Sequence, residues 1–119
     1  FDPPHKILKH KIEMGKFGKI QYGYMSMEDT IDVPSEWWPS WASKSSPVWF
    51  LGVHCFDIFR FILKCNAKRV LATGQKQKLV SMGIDTFDSI QTKVEFENVT
   101  IVNFDNSWIL PKKFAAFTN

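Results

Sequence analysis

A histidine and an aspartate lie one helical turn apart in an otherwise apolar stretch of this sequence. If residues 51–64 are helical, one face of that helix carries four polar side chains at steps of three, three and four: His54, Asp57, Arg60 and Lys64. The remaining faces are apolar and must be buried. An imidazole exchanges protons near neutral pH, and a carboxylate on the same face can orient it or contact a substrate. The pair therefore predicts the edge of a reaction site.

The same two residues also have a structural interpretation. A His-Asp pair on a helix is often only a hydrogen-bonded pair, without a role in catalysis. Asp57 can equally cap the helix or pair with Arg60 or Lys64. The residue types alone leave both interpretations open.

The sequence gives little evidence for a metal site, a cysteine motif or a serine nucleophile. His5 and His10 are five residues apart, which turns them to different faces of a helix, so we expect no metal site. Cys55 and Cys65 form no Cys-x-x-Cys motif, which favours free thiols. Residues 45–47 (Ser-Ser-Pro) lack the Gly-x-Ser-x-Gly pattern of a serine nucleophile.

Composition limits the class of protein. A chain of 119 residues has room for one domain, and its eleven Phe and five Trp indicate buried interfaces, so we expect an oligomer or a neighbouring domain. The formal charge is only +3 and the lysines are scattered, which argues against a nucleic-acid partner.

No apolar run approaches the roughly 20 residues that a bilayer requires, and no signal peptide is evident. We expect a cytoplasmic protein without a membrane partner.

Hydrophobic periodicity predicts two helices and at least four strands: helices at 3–14 and 51–64, and strands at 19–25, 68–73, 87–97 and 100–110. Asp2 followed by two prolines is a helix-start pattern, and Asn66 can end the second helix in the left-handed conformation. The last two strands form a hairpin. These elements predict an α+β fold, in which a largely antiparallel open sheet carries helices on one face.

Residues 27–47 show neither helical nor strand periodicity and contain three tryptophans, Trp37, Trp38 and Trp41. We interpret this stretch as an ordered loop that covers a site or an interface. The indole rings could stack on the face of a sugar, or they could pack against a neighbouring subunit or domain.

Four segments occur in a distinctive order. They are Phe1-Asp2-Pro3 at a helix start, Gly15-Lys16-Phe17-Gly18-Lys19-Ile20, Gly52-Val53-His54-Cys55-Phe56-Asp57, and Asp85-Thr86 before a strand that ends in Phe96-Glu97-Asn98. Together they resemble the C-terminal domain of the Gfo/Idh/MocA oxidoreductases, the glucose-fructose oxidoreductase and inositol dehydrogenase group. The resemblance covers nearly the whole chain.

The resemblance implies a dihydrodipicolinate-reductase-like fold and a two-domain enzyme. Residues 1–119 would be a single substrate-binding and oligomerisation domain, and an N-terminal Rossmann domain, absent from this chain, would bind most of the NAD or NADP. The sequence indeed has no Gly-x-Gly-x-x-Gly motif. The implied substrate is a sugar, an inositol or a related polyol, and the implied assembly is a homo-oligomer formed through the sheet face. We expect this chain alone to be inactive.

The resemblance also assigns residues. His54 matches the histidine that exchanges a proton with the substrate hydroxyl, and Asp57 matches the acid one turn later. We place Asp85 and Thr86 on the substrate side, together with Trp41, whose ring could stack on the substrate. An Asp-Thr pair just before a strand is equally typical of a turn, so both interpretations of residues 85–86 remain open. Two positions depart from the family pattern: Phe50 stands where many members have an aspartate that orients the histidine, and Val99 replaces a common glycine.

A second function remains open. The sheet and the tryptophan-rich stretch could form an interaction or oligomerisation module in which no reaction depends on these residues. A His54 that opens to a cavity favours the oxidoreductase, whereas a fully packed His54 favours the interaction module.

Overall fold

The computed structural model describes residues 1–114 and the backbone of residues 117–118. Within these residues the helices are α1 (Pro3–Glu13), α2 (Pro39–Ala42), α3 (Val53–Leu63) and α4 (Lys78–Ser81), with π-helical segments at Val33–Trp37 and Val48–Gly52. The strands are β1 (Tyr22–Thr30), β2 (Ala67–Gln75), β3 (Ser89–Phe96), β4 (Ile101–Leu110) and β5 (Phe117–Thr118). Among the described helices, none is long and apolar enough to cross a membrane.

The strands form one mixed sheet in the order β2-β3-β4-β1-β5. The predicted hairpin is present as the antiparallel pair β3 and β4, and β2 pairs antiparallel to β3. β1 runs parallel to β4, so the sheet is mixed and not purely antiparallel. The α+β fold class with an open sheet is confirmed.

Alternating side chains on the strands build the core on the helix-bearing face of the sheet. One cluster joins Val94 and Phe104 to the buried Cys55 of α3. The rings of Phe56 and Phe59 meet Phe104 edge to face, at centroid distances of 4.9 and 5.4 Å. These contacts fix the apolar side of α3 against the sheet, so its polar side faces outward.

Two glycines allow α3 and its π-helical start to approach the sheet closely. A Cβ atom at Gly23 of β1 would lie 2.7 Å from the ring of Phe59, and one at Gly52 would lie 2.8 Å from Asn106 Oδ1. Because neither position carries a side chain, the helix can lie directly on β1 and β4. This close packing determines how far α3, which carries His54, lies from the sheet.

The ends of α3 differ from the prediction. Its first predicted residues belong to a π-helical segment, Val48–Gly52, which continues directly into the α-helix. The left-handed residue at the other end is Lys64, with φ of 54°, and not Asn66. Asn66 instead accepts hydrogen bonds from the Arg60 guanidinium at 2.9 and 3.2 Å, which secures the chain after the helix.

The stretch 27–47 is more regular than predicted. β1 continues through Thr30, and a π-helical segment and α2 follow, each beginning at or next to a proline (Pro34 and Pro39). Proline favours the first turn of a helix, and a π-helical turn does not show the 3.6-residue period used to recognise helices. The prediction of a stretch without regular structure was therefore wrong.

The face of the sheet opposite the helices, which we call the open face, presents mixed side chains. Tyr22 and Leu71 are 81% and 69% exposed. Polar contacts lie between them: Tyr24 donates a hydrogen bond to Asp105 at 2.9 Å, and the neighbouring Arg69 is paired with Glu95 at 2.5 Å. The open face thus combines exposed apolar side chains with two separate polar pairs.

Candidate active site

His54 and Asp57 lie on the outer side of α3, next to the start of α1. They line a shallow pocket of about 280 Å³, whose other lining residues are Phe1, Asp2, His5 and Ile58. Both side chains are exposed. The stacked rings of Phe1 and Phe61, 3.9 Å apart, hold the start of α1 against α3. The predicted pair therefore faces a cavity between two helices.

The ionic partners of α3 leave its two predicted site residues free. Lys64 Nζ lies 3.1 Å from the Glu13 carboxylate of α1, and Arg60 bonds to Asn66. Asp57 pairs with neither cation, so the structural interpretation in which it pairs with Arg60 or Lys64 was wrong. Within the described residues, no carboxylate pairs with the His54 ring.

Asp2 and His5 form a second carboxylate–imidazole pair on the α1 side of the pocket. Asp2 is the N-cap of α1 and accepts a hydrogen bond from the His5 backbone N–H at 3.3 Å. Its carboxylate also contacts Nδ1 of the His5 ring. The pKa of Asp2 lies below its usual value, mainly because of the side-chain hydrogen bond with His5 and then because of the hydrogen bond from the His5 backbone N–H.

Sequence reasoning treated Asp2 as a cap and missed His5 as a site residue. The available signal was an aspartate at the N-cap followed three residues later by a histidine, a spacing that brings the two side chains together on the first turn. His10 is exposed further along α1, so the prediction that the two histidines lie apart agrees with the structure.

Phe50 occupies the position of the family's orienting aspartate, and its ring belongs to an aromatic cluster. The ring centroid lies 5.8 Å from that of Trp41 and 6.1 Å from that of Trp108. Trp108 is fully buried, and its indole N–H donates to the Phe87 carbonyl at 2.6 Å. In this protein the side chain at position 50 therefore packs against other aromatic rings.

The predicted substrate residue Trp41 lies in this same cluster and is not among the residues that line the His54 pocket. Its ring meets Trp108 edge to face at 6.3 Å and remains partly exposed. Trp37 and Trp38 are also exposed. The tryptophan-rich stretch thus contributes one ring to this aromatic cluster and leaves the other two at the surface.

Asp85 and Thr86 also lie outside the His54 pocket. The Asp85 carboxylate lies at the surface, 2.9 Å from Lys76 Nζ. Thr86 is buried, and its hydroxyl donates to the Ser45 carbonyl at 2.7 Å, which ties the 85–86 turn to the segment before α3. The structure does not bring either residue together with His54.

Among residues 1–114, no three side chains of His, Cys, Asp or Glu cluster in a way that could hold an ion. Cys55 and Cys65 are free thiols, as predicted. Cys55 is buried, and burial raises the pKa of its thiol.

Comparison with known families identifies the fold. Residues 5–118 match the model of the GFO/IDH/MocA C-terminal domain. The chain belongs to the Gfo/Idh/MocA family. Among curated protein sequences, none matches this Gfo/Idh/MocA domain significantly.

Solved structures with a similar fold include inositol dehydrogenases. Myo-inositol 2-dehydrogenase from Lactobacillus plantarum superposes with a TM-score of 0.80 at 14% identity, over 98% of this chain and 35% of its own. Scyllo-inositol dehydrogenase from Lactobacillus casei, solved with NAD(H) and scyllo-inositol, gives 0.78 at 16% identity, over 99% and 36%. An oxidoreductase from Agrobacterium radiobacter, in complex with NAD+, L-tartaric acid and magnesium, gives 0.75 at 25% identity, over 97% and 33%. This Gfo/Idh/MocA domain therefore spans about a third of each of these proteins.

Proposed function

We propose that this domain binds substrate in an NAD(P)-dependent oxidoreductase that acts on an inositol, a sugar or a related polyol. The observation that carries the proposal is that His54, on the outer side of α3, opens to a pocket and is not packed in the core. An imidazole in that position can take the proton from a substrate hydroxyl as the alcohol becomes a carbonyl. The nicotinamide ring supplies hydride exchange when it is bound.

The cofactor itself belongs to another part of the proposed enzyme. This sequence has no Gly-x-Gly-x-x-Gly turn between a strand and a helix, so its residues do not form a cradle for a dinucleotide pyrophosphate. We assign NAD or NADP binding mainly to an N-terminal Rossmann domain. In this proposal the residues of the C-terminal domain bind the substrate and exchange the proton of its hydroxyl group.

The outer surface of α1 supports the presence of such a neighbour. Ile7 and Met14 are more than half exposed, and Leu8 beside them is partly exposed. Apolar side chains on one side of a helix are typically covered in the complete protein. We propose that the Rossmann domain packs against this surface, which would bring the nicotinamide towards the pocket at the start of α1.

The open face of the sheet supports a role in oligomerisation. Exposed Tyr22 and Leu71 offer apolar area, and a shallow trough of about 430 Å³ runs between Leu71, Lys93 and Ile101. A self-complementary contact of this kind suits a twofold interface. In the complete protein, Leu71→Glu should shift sedimentation towards the monomer, while Val80→Glu, at an exposed apolar position on α4, should not. A wild-type protein that stays monomeric at micromolar concentration would contradict this role.

The direct test of the proposed activity is NAD(P)H formation by the complete protein, including its Rossmann domain, with a panel of inositols and sugars. We expect turnover with at least one polyol and a preference for one of the two cofactors. If no polyol is oxidised with either cofactor, the non-catalytic interaction module becomes the better account, since the open face would then be the remaining functional surface.

A further inference from the structure

The pocket beside His54 is polar on both of its walls. On the α3 wall stand an imidazole and a carboxylate, from His54 and Asp57, and on the α1 wall stand another imidazole and another carboxylate, from His5 and Asp2. Phe1 and Ile58 supply apolar surface to the same pocket. Each helix thus offers one group of each kind to a molecule bound between them.

The two imidazoles differ in how they are held. The Nδ1 atom of His5 contacts the Asp2 carboxylate. In the neutral imidazole this contact places the ring proton on Nδ1, so that Nε2 is the hydrogen-bond acceptor. Among the described residues His54 has no such partner, because the aspartate expected one turn earlier is replaced by Phe50, whose ring packs against Trp41. The oriented histidine of this pocket is therefore on α1 and not on α3.

A hydroxyl group is the natural partner of an oriented acceptor. A monoalcohol offers a single hydroxyl to these two walls, whereas a polyol can offer one hydroxyl to each of them. Resting on the function proposed above, we propose that the substrate is a vicinal polyol that bridges the helices, with its reacting hydroxyl at His54 and the adjacent hydroxyl bonded to Nε2 of His5. In this arrangement Asp2 is a positioning residue, and His5 selects for the second hydroxyl.

Asp2 also caps α1, and one substitution separates its two roles. Asparagine caps helices as well as aspartate does, so Asp2→Asn keeps the hydrogen bond from the His5 backbone N–H. It replaces the carboxylate that orients the His5 ring with a neutral amide. If Asp2 only capped the helix, this variant would behave like the wild type.

The experiment uses the complete protein and two substrates, a polyol that it oxidises and the deoxy analogue that lacks the hydroxyl adjacent to the reacting one. For the polyol, His5→Ala should lower kcat/KM about tenfold, the size of one lost hydrogen bond, mainly by raising KM. For the deoxy analogue it should change kcat/KM less than twofold. Asp2→Asn should show a smaller loss with the same selectivity, and His10→Ala, the matched control on α1, should change neither substrate.

The outcomes separate this inference from the proposed function. Equal losses on both substrates, or no loss in His5→Ala and Asp2→Asn, overturn the bridging role while a protein that depends on His54 remains a dehydrogenase. If the wild type oxidises no polyol, or if His54→Ala keeps full activity, the proposed function fails and the bridging role fails with it.

Discussion

Replacing Phe50 by the aspartate that many family members carry tests whether this position serves packing or proton transfer. The half-buried ring contacts Trp41 and Trp108 at centroid distances of 5.8 and 6.1 Å. Burying about half of a Phe side chain contributes about 1–1.5 kcal/mol, and two aromatic contacts add about 1–2 kcal/mol. A carboxylate among these rings also loses hydration. We therefore expect Phe50→Asp to lower the free energy of unfolding by about 3 kcal/mol and not to raise kcat.

Urea unfolding of the complete protein, followed by tryptophan fluorescence, measures this loss, because Trp41 and Trp108 report on the cluster directly. The matched control is Trp49→Asp at the adjacent position, where the side chain is 72% exposed. A surface change of this kind should cost less than about 0.5 kcal/mol. Equal losses in the two variants, or a Phe50→Asp enzyme that is as stable as the wild type and turns over faster, would refute the packing role.

Three further predictions follow from single residues. Asp57→Asn should raise KM or lower stability while kcat stays within a few-fold of wild type, because Asp57 lines the pocket without pairing to His54. Steady-state kinetics measures both parameters, and a larger fall in kcat would contradict this prediction. Val99→Gly should raise the free energy of unfolding by about 0.5–1 kcal/mol in urea titration, since a β-branched residue at φ of 65° is strained and glycine is not; a loss of stability would contradict this. At pH 8, iodoacetamide should modify Cys65 before Cys55, because burial shields the Cys55 thiol and raises its pKa, which lowers its thiolate fraction; mass spectrometry that finds Cys55 modified first would exclude this.

The parts of the fold that were predictable have strong local patterns. Asp2 and the prolines after it mark the start of α1, and strict alternation over residues 89–96 and 101–110 marks the hairpin. The buried and exposed faces of α3 also follow from the spacing of its polar residues. In these segments local propensity and tertiary burial favour the same structure.

The features that escaped prediction depend on contacts distant in sequence or on unusual backbone geometry. The parallel pairing of β1 with β4 joins residues about 80 positions apart, and no local pattern encodes it. The π-helical segment before α3 lacks a recognisable period. Lys64 takes the left-handed conformation although a lysine gives no signal for it.

Part of the candidate site was equally hidden. Residue spacing and family resemblance both drew attention to His54 and Asp57, but the opposite wall of the pocket comes from Asp2 and His5, about 50 residues earlier in the chain. Only the packing of α1 against α3 brings the two pairs together. Thr86, which the sequence placed on the substrate side or in a turn, is buried in the structure, and its hydroxyl donates a hydrogen bond to the Ser45 carbonyl.

The central claim is that His54 exchanges the hydroxyl proton of a polyol substrate. The most direct test compares kcat for NAD(P)H formation by the complete wild-type protein and by His54→Ala, with the best substrate from the polyol panel. The exposed position of His54 means that the substitution should leave the fold intact, so circular dichroism and Tm serve as controls. The account predicts a fall in kcat of about 100-fold or more in a folded variant. A folded His54→Ala protein with wild-type kcat would contradict it and would assign the proton chemistry to another residue.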